Sequence, residues 1–380
     1  MEDAYCEAVL PVPSGFWSVF AVLDGHNGWQ TSIWLRERII PAVVGAVGDV
    51  YTKFASKSDS DTGERPQVPP DAVDDAIKNT FKRLDDEIVH EAVEKVFSTS
   101  SKAAAIELLT PARAGSCALL ALYDAQDRSL RVALAGDSRA VLGRRVVPLP
   151  AQKGGNGNNN GRESPDSHFY EVHVLSVDQN GNNPAEEARL NALHPGETLV
   201  EAGRVLGWGM SRAFGDAAYK WSVDIQERLA EQYLGSRPPS KVKTPPYFTA
   251  EPEVTTVTVQ PGDFLIMATD GLWESLTNEE AVGLVGMWLN DNLKRTQTRS
   301  NGTQDRSDSR ASAVTTPKQL PVTMGEDQTV RYRYWRTKKE FVKVDENAAT
   351  HLVRNALGGA DTDLTAGLLQ MTSPFARWFR

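Results

Sequence analysis

Three apolar runs in this chain end on an aspartate followed by a small residue: FAVLDGH at Asp24, RVALAGDSR at Asp137 and FLIMATDGLWE at Asp270. One Asp-Gly pair at a strand end is an ordinary turn. Three constrain the fold more tightly. If the strands neighbour one another in a sheet, their ends bring three carboxylates to one rim, where mutual repulsion calls for a cation. Oxygen-only donors suit hard divalent ions that keep their waters, so Mg²⁺ or Mn²⁺ is expected rather than Zn²⁺. Glu2 and Asp3, in MEDAY, supply two further acids.

Charge and composition narrow the function. The 380 residues carry a formal net charge of −9, which argues against a nucleic-acid or polybasic-membrane partner, since both require clustered positive charge. Cys6 and Cys117 are the only cysteines. They are too few for a disulfide framework, and neither precedes the glycine-rich, arginine-ended loop of a phosphate-attacking thiolate. No run reaches the ~20 apolar residues that span a bilayer. Because Met1 leads straight into a hairpin in progress, residues before it are expected to be missing.

Periodicity sets out the elements. A strand over 16–23 precedes a helix from about Gly28 to Val44 with Trp34, Leu35, Ile39 and Ile40 inward. A second helix runs from Asp71 to about Val96, where Val73, Ile77, Phe81, Leu84, Ile88 and Ala92 recur at helical spacing. AGSCALLALYD, SLRVALAGD and RAVLGRRV read as an antiparallel meander. Residues 154–167 read as a mobile loop insertion, and 291–316 as disordered or a long loop. Between these, YEVHVLSVD is a strand and PAEEARLNAL a helix opened by Pro184. EVTTVTV and DFLIMATD are strands flanking the turn QPG, and TNEEAVGLVGMWL is a helix with Thr277 as N-cap. A last helix, DENAATHLVRNALGG, is stopped by glycine. Strands and helices fall in blocks, which points to α+β layers in a single domain over 1–380. GRVLGWG has glycines at nucleotide-loop spacing but no strand-to-helix context, and is set aside.

An acidic centre that holds two such ions is suited to hydrolysing phosphate esters, because the pair lowers the pKa of a bridging water. His26, two residues after Asp24, would then protonate the leaving alkoxide. MEDAY, VLDGHNG, GSCALLAL, VALAGDSRA, MSRAFGD and ATDGLWE follow one another in the order of the markers of the metal-dependent Ser/Thr protein phosphatases of the 2C family. The chain resembles that family over most of its length. The resemblance implies a four-layer αββα sandwich, two antiparallel sheets flanked by helices, with a dinuclear metal site at the cleft. It makes Asp24 the carboxylate bridging both ions, with the Gly25 carbonyl and Glu2 on one ion and Asp270 on the other. Asp137 would help bind a weaker third ion, His26 is the general acid, and Asp3 and Glu274 would order metal-bound water. Arg212 and Asp216, in MSRAFGD, are read as structural, an ion pair or a turn, and Tyr219 and Trp221 as packing.

Within the family, GWGMSRAFGDAAYKWS, TPPYFTAEPEVT and NAATHLVRNALGG resemble the pyruvate dehydrogenase phosphatases. That likeness implies phosphoserine on pyruvate dehydrogenase as substrate and the mitochondrial matrix as location; without it the expectation is cytoplasmic. It also implies a chain cut short at both ends, lacking an arginine before Glu2 and an aspartate pair after the last helix. Asp361 and Asp363 sit too early to replace that pair. A pseudophosphatase that binds phosphoprotein without turnover is the alternative reading. The retained Glu2, Asp24, His26, Asp137 and Asp270 speak for the enzyme.

Overall fold

Among the described residues two larger sheets form, each with its own helices, beside a two-stranded ribbon. The computed structural model describes residues 2–13, 15–55, 68–146, 168–300, 314–372 and 376, with the backbone alone for 293–300. In chain order the first elements are β1 (Ala4–Val12), β2 (Gly15–His26), α1 (Gln30–Ala55), α2 (Pro70–Phe97), α3 (Lys102–Arg113), β3 (Gly115–Asp124), β4 (Ser129–Ala135), β5 (Arg139–Val146) and β6 (Phe169–Val174). They continue with α4 (Pro184–Leu193), β7 (Val200–Glu201), β8 (Arg204–Val205), β9 (Phe214–Gly215), α5 (Val223–Gln232), β10 (Glu253–Thr258) and β11 (Phe264–Ala268). Last come α6 (Asp270–Trp273), α7 (Asn278–Ser300), α8 (Arg331–Trp335), α9 (Ala348–Ala356) and α10 (Thr362–Gln370). The class is α+β, as expected. Contacts divide the chain into two units, Met1–Ala140 with Leu175–Val259, and Val141–Val174 with Gln260–Arg380. Among the described residues no helix is long and apolar enough to cross a membrane.

The first unit holds a sheet of order β1-β2-β3-β4-β10, with β9 also pairing with β3. Its central strand β3 is buried along nearly its whole length, as its unbroken apolar run requires. Helix α1 packs on β1, β2 and β3, and α2 on α1 and α3. Leu35, Ile39, Val43 and Val47 are fully buried, one helical face carried through Pro41 and well past Val44. The apolar spacing outlasts the proline, so α1 is longer than the expected Gly28–Val44 helix. Trp34, expected inward, is only half-buried. Helix α2 matches its expected span, and all six of its spaced apolar residues are buried. Helix α3 was not expected. Its signals were short: Ser101, whose hydroxyl accepts from the Ala104 N–H, and the buried Ala105, Leu109 and Ala112.

The expected three-strand meander breaks after β4. β3 and β4 pair antiparallel, but the far edge of β4 is taken by β10, from Glu253 opposite Leu134 to Thr258 opposite Ser129. Beyond the strand, Gln179 closes the backbone instead: its carbonyl accepts from the Gly136 N–H at 2.8 Å and its amide donates to Leu134 O at 3.1 Å. The chain leaves through Gly136 and Asp137, and β5 joins a different sheet.

That second sheet, in the other unit, has the order β11-β5-β6, with β5 and β6 antiparallel. The two strands flanking QPG therefore belong to different sheets. Helix α7 packs on β6 and α9 on α7, around a core that includes Tyr170, Ile266, Trp273 and Phe341. Thr277 caps α7 as expected: its hydroxyl accepts from the Glu280 N–H, and Glu280 in turn accepts from the Thr277 N–H. The helix runs on to Ser300, so 291–300 is helical rather than loop, while 301–313, like 154–167, lies outside the described residues. Helix α9 stops at the positive-φ Gly358 and Gly359, but it is not the last, because Asp361 caps a further helix, α10.

Candidate active site

Strand β3 is the spine of the first unit's site. Its Gly115 pairs with His26 and its Cys117 with Asp24 across the β2 ladder. On its other side Gly115 pairs with Gly215 of β9, and Asp216 follows directly. Residues 190 apart in sequence thus meet across one glycine: His26 Nε2 donates to Asp216 Oδ2 at 2.6 Å, with the Asp216 side chain 2% exposed. Gly115 is indispensable to this contact. A methyl group on its Cα would collide with both His26 Nε2 and Asp216 Oδ2. Asp216 itself sits in the left-handed region at φ 46°, a conformation Asp tolerates better than most residues.

Two positions along β3, the same arrangement joins two acids. The Cys117 thiol donates to Asp137 Oδ1 at 3.2 Å, and Asp24 and Asp137 offer carboxylate oxygens within 4.8 Å of each other. Burial pushes the Cys117 thiol well above its ordinary value, and the charges of Asp137 and Asp24 push it further. It is a packed donor, not a nucleophile. Burial raises Asp137 too, with the Asp178 charge adding and the Cys117 hydrogen bond opposing. For Asp3, burial raises the carboxyl against hydrogen bonds to Asp24 and to the Gly25 backbone, and the Glu2 charge adds to the rise. Glu2 accepts from the Gly28 N–H at 2.8 Å and its carbonyl from the Ser32 hydroxyl at 2.5 Å.

Asp3 and Asp137 both hold protons more tightly than ordinary carboxyls, first because they are buried and then because another acid lies near each. The donors are all oxygen, and a hard divalent cation fits them. His26 behaves differently. Burial pushes the imidazole down, but the charge and hydrogen bond of Asp216, with help from Asp137, more than offset it, and the net shift is upward.

Asp270, in the second unit, opens α6 directly after β11, and the preceding Thr269 is extended. Glu274 ends the same helix and pairs with Arg331 at 2.5 Å. Arg212 is structural as expected, but its partner is Glu186, held at Oε1 by its Nη2 at 2.5 Å. Arg189 and the Ser211 hydroxyl also reach Glu186. Together they lower this buried acid to about 2 against the cost of burial. Trp221 is packing: it is buried and donates Nε1–H to Val89 O. Asp216 lies, as expected, in an ion pair and at a turn; what the sequence left open is its partner, His26. The signal available was its place in MSRAFGD; its partner was not visible because the pairing is made through a third strand.

Comparison with known proteins identifies the family. Residues 12–311 match the family model for protein phosphatase 2C. The chain belongs to the protein phosphatase 2C family. A protein phosphatase 2C homologue of Schizosaccharomyces pombe is 40% identical over 385 residues, covering 100% of this chain and 75% of that protein. The mitochondrial [pyruvate dehydrogenase [acetyl-transferring]]-phosphatase 1 of Saccharomyces cerevisiae is 33% identical over 95% of this chain and 60% of its own length. Its human counterpart is also 33% identical, over 85% of this chain and 55% of its own length. The chain thus spans little more than half of those two phosphatases. Among solved structures, the serine-threonine phosphatase 2C from Toxoplasma gondii aligns with a TM-score of 0.49 at 20% identity, covering 80% of this chain and 86% of that one.

Proposed function

We propose that this protein hydrolyses phosphoserine and phosphothreonine esters in proteins, using Mg²⁺ or Mn²⁺ held by Asp24, Glu2, the Gly25 carbonyl and Asp270, with Asp137 on a weaker third ion. Such ions, when bound, supply a water of lowered pKa and screen the charge of the phosphate. The chain's own contribution is the placement of a proton. His26 acts as the imidazolium: its Nε2–H is held by Asp216, which stabilises the charge in a site only 19% exposed at the His26 side chain, and the proton to transfer is the ring's other one, on Nδ1. The proton is delivered to the seryl or threonyl oxygen as the P–O bond breaks. That carboxylate-backed imidazole beside Asp24 and Asp137 is the observation that carries the reading, because a module that only bound phosphoprotein would have no use for a poised acid.

The substrate we propose is phosphoserine of pyruvate dehydrogenase, in the mitochondrial matrix. Support comes from the yeast and human pyruvate dehydrogenase phosphatases, similar over 95% and 85% of this chain. Phosphate release from phosphorylated pyruvate dehydrogenase and from an unrelated phosphoserine protein, with Mn²⁺ or Mg²⁺ and with Asp24→Asn as control, tests both levels. Release from both at equal efficiency removes the specific substrate. Release from neither, or undiminished release in the control, removes the enzyme.

A further inference from the structure

The segment GRVLGWG, which serves no nucleotide, delivers an aromatic ring to the proton donor. After β8 the chain reverses at Leu206 and Gly207, with φ of 53° and 96°, the positive pair of a tight hairpin turn that favours glycine. Reciprocal backbone hydrogen bonds between Val205 and Trp208, 2.8 and 2.9 Å, close it. Trp208 therefore leaves the turn in a fixed direction. Its ring lies 5.8 Å from that of His26 and packs edge-on against Tyr219, which stacks on Phe248 at 4.9 Å. The next residue, Gly209, approaches Asp137. A supported aromatic row, packed on Phe248 and its buried neighbours, thus runs up to the imidazole.

Trp208 is only half-buried. Trp17, Trp221, Trp273 and Trp288 each donate their indole N–H to a protein acceptor; for Trp208, as for Trp29 and Trp34, no such acceptor is present among the described residues. We infer that Trp208 is the specificity-determining wall of the substrate site, packing against the residue that flanks the phosphorylated serine or threonine and selecting a large apolar side chain there. An apolar flanking side chain gains contact with the half-buried indole.

This inference rests on the phosphatase reading, and the experiment separates the two. Turnover of two phosphoserine peptides, identical except for leucine or glycine on both sides of the phosphoserine, is measured on the complete protein with Mn²⁺. Binding of the matching non-hydrolysable phosphonate peptides is followed by calorimetry. The wild type is expected to favour the leucine peptide by about five- to tenfold in kcat/KM and in Kd, chiefly through KM. Trp208→Ala should erase the preference, and Trp208→Phe, which keeps the packing on Tyr219, should restore most of it. Turnover without preference, or a preference that survives Trp208→Ala, overturns the wall and leaves the phosphatase standing. Binding preference lost in Trp208→Ala without any turnover supports the wall and overturns the phosphatase. Failure of both peptides to bind overturns both.

Discussion

Replacing Asp216 by asparagine tests the proton donor most directly. The substitution keeps the shape and an acceptor oxygen for His26 Nε2, and asparagine tolerates the left-handed backbone at this position. What it removes is the charge at 2.6 Å. A buried hydrogen bond to a charged group contributes roughly 1.5–3 kcal/mol, so loss of the anion should slow a step that needs the imidazolium by about 10- to 150-fold. That step matters only when the leaving group needs a proton. A phosphoserine peptide, leaving as an alkoxide, should therefore suffer the full loss in kcat, while p-nitrophenyl phosphate, with a stable leaving group, should be affected little. The pH profile adds an independent reading. In the wild type, Asp216 holds the imidazole's pKa up against burial; without it, deprotonation comes earlier, and activity that falls on the alkaline side should fall at lower pH. Bound cations lower the same pKa in both proteins, so the difference between them survives. Equal losses on the two substrates, or an unmoved alkaline limb, would refute the argument.

Other outcomes follow from the same geometry. Gly115→Ala should cut peptide turnover at least as much as Asp216→Asn and lower the melting temperature as well, because the added methyl must displace His26, Asp216 or the β3 backbone; calorimetry and steady-state kinetics check both. Glu186, lowered from 4.5 to about 2, contributes on the order of 3 kcal/mol of stability that is complete above its unfolded pKa and lost as pH falls towards 2. Glu186→Gln should thus be destabilised at pH 7, with the gap to wild type closing as pH drops from 4.5 to 2 in denaturant titrations. Mn²⁺ or Mg²⁺ should raise the melting temperature in a concentration-dependent manner, and Asp24→Asn should lose most of that rise; an equal rise in the variant would take Asp24 out of the metal site.

Much of this protein is written locally. Helical spacing in α2, alternation and apolar runs in the strands, and the Thr277 cap depend on residues a few positions apart, and a linear reading recovers them. The acids at Asp24, Asp137 and Asp270 stood out for the same reason, since a charge ending an apolar run is anomalous within a short window. What the linear reading missed depends on distant partners. Helix α1 outruns its expected end because Val47 is buried beyond Pro41. β5 leaves the first sheet because β10, more than a hundred residues later, occupies the edge of β4. His26 gains its carboxylate only once β2, β3 and β9 are in register around Gly115, and Trp208 reaches the imidazole from the turn after β8. Sequence by itself determined which chemical groups the site contains, because residue type and local period carry that information; tertiary structure alone decided which group touches which, because contact is set by strand pairing and packing between segments that no local pattern links.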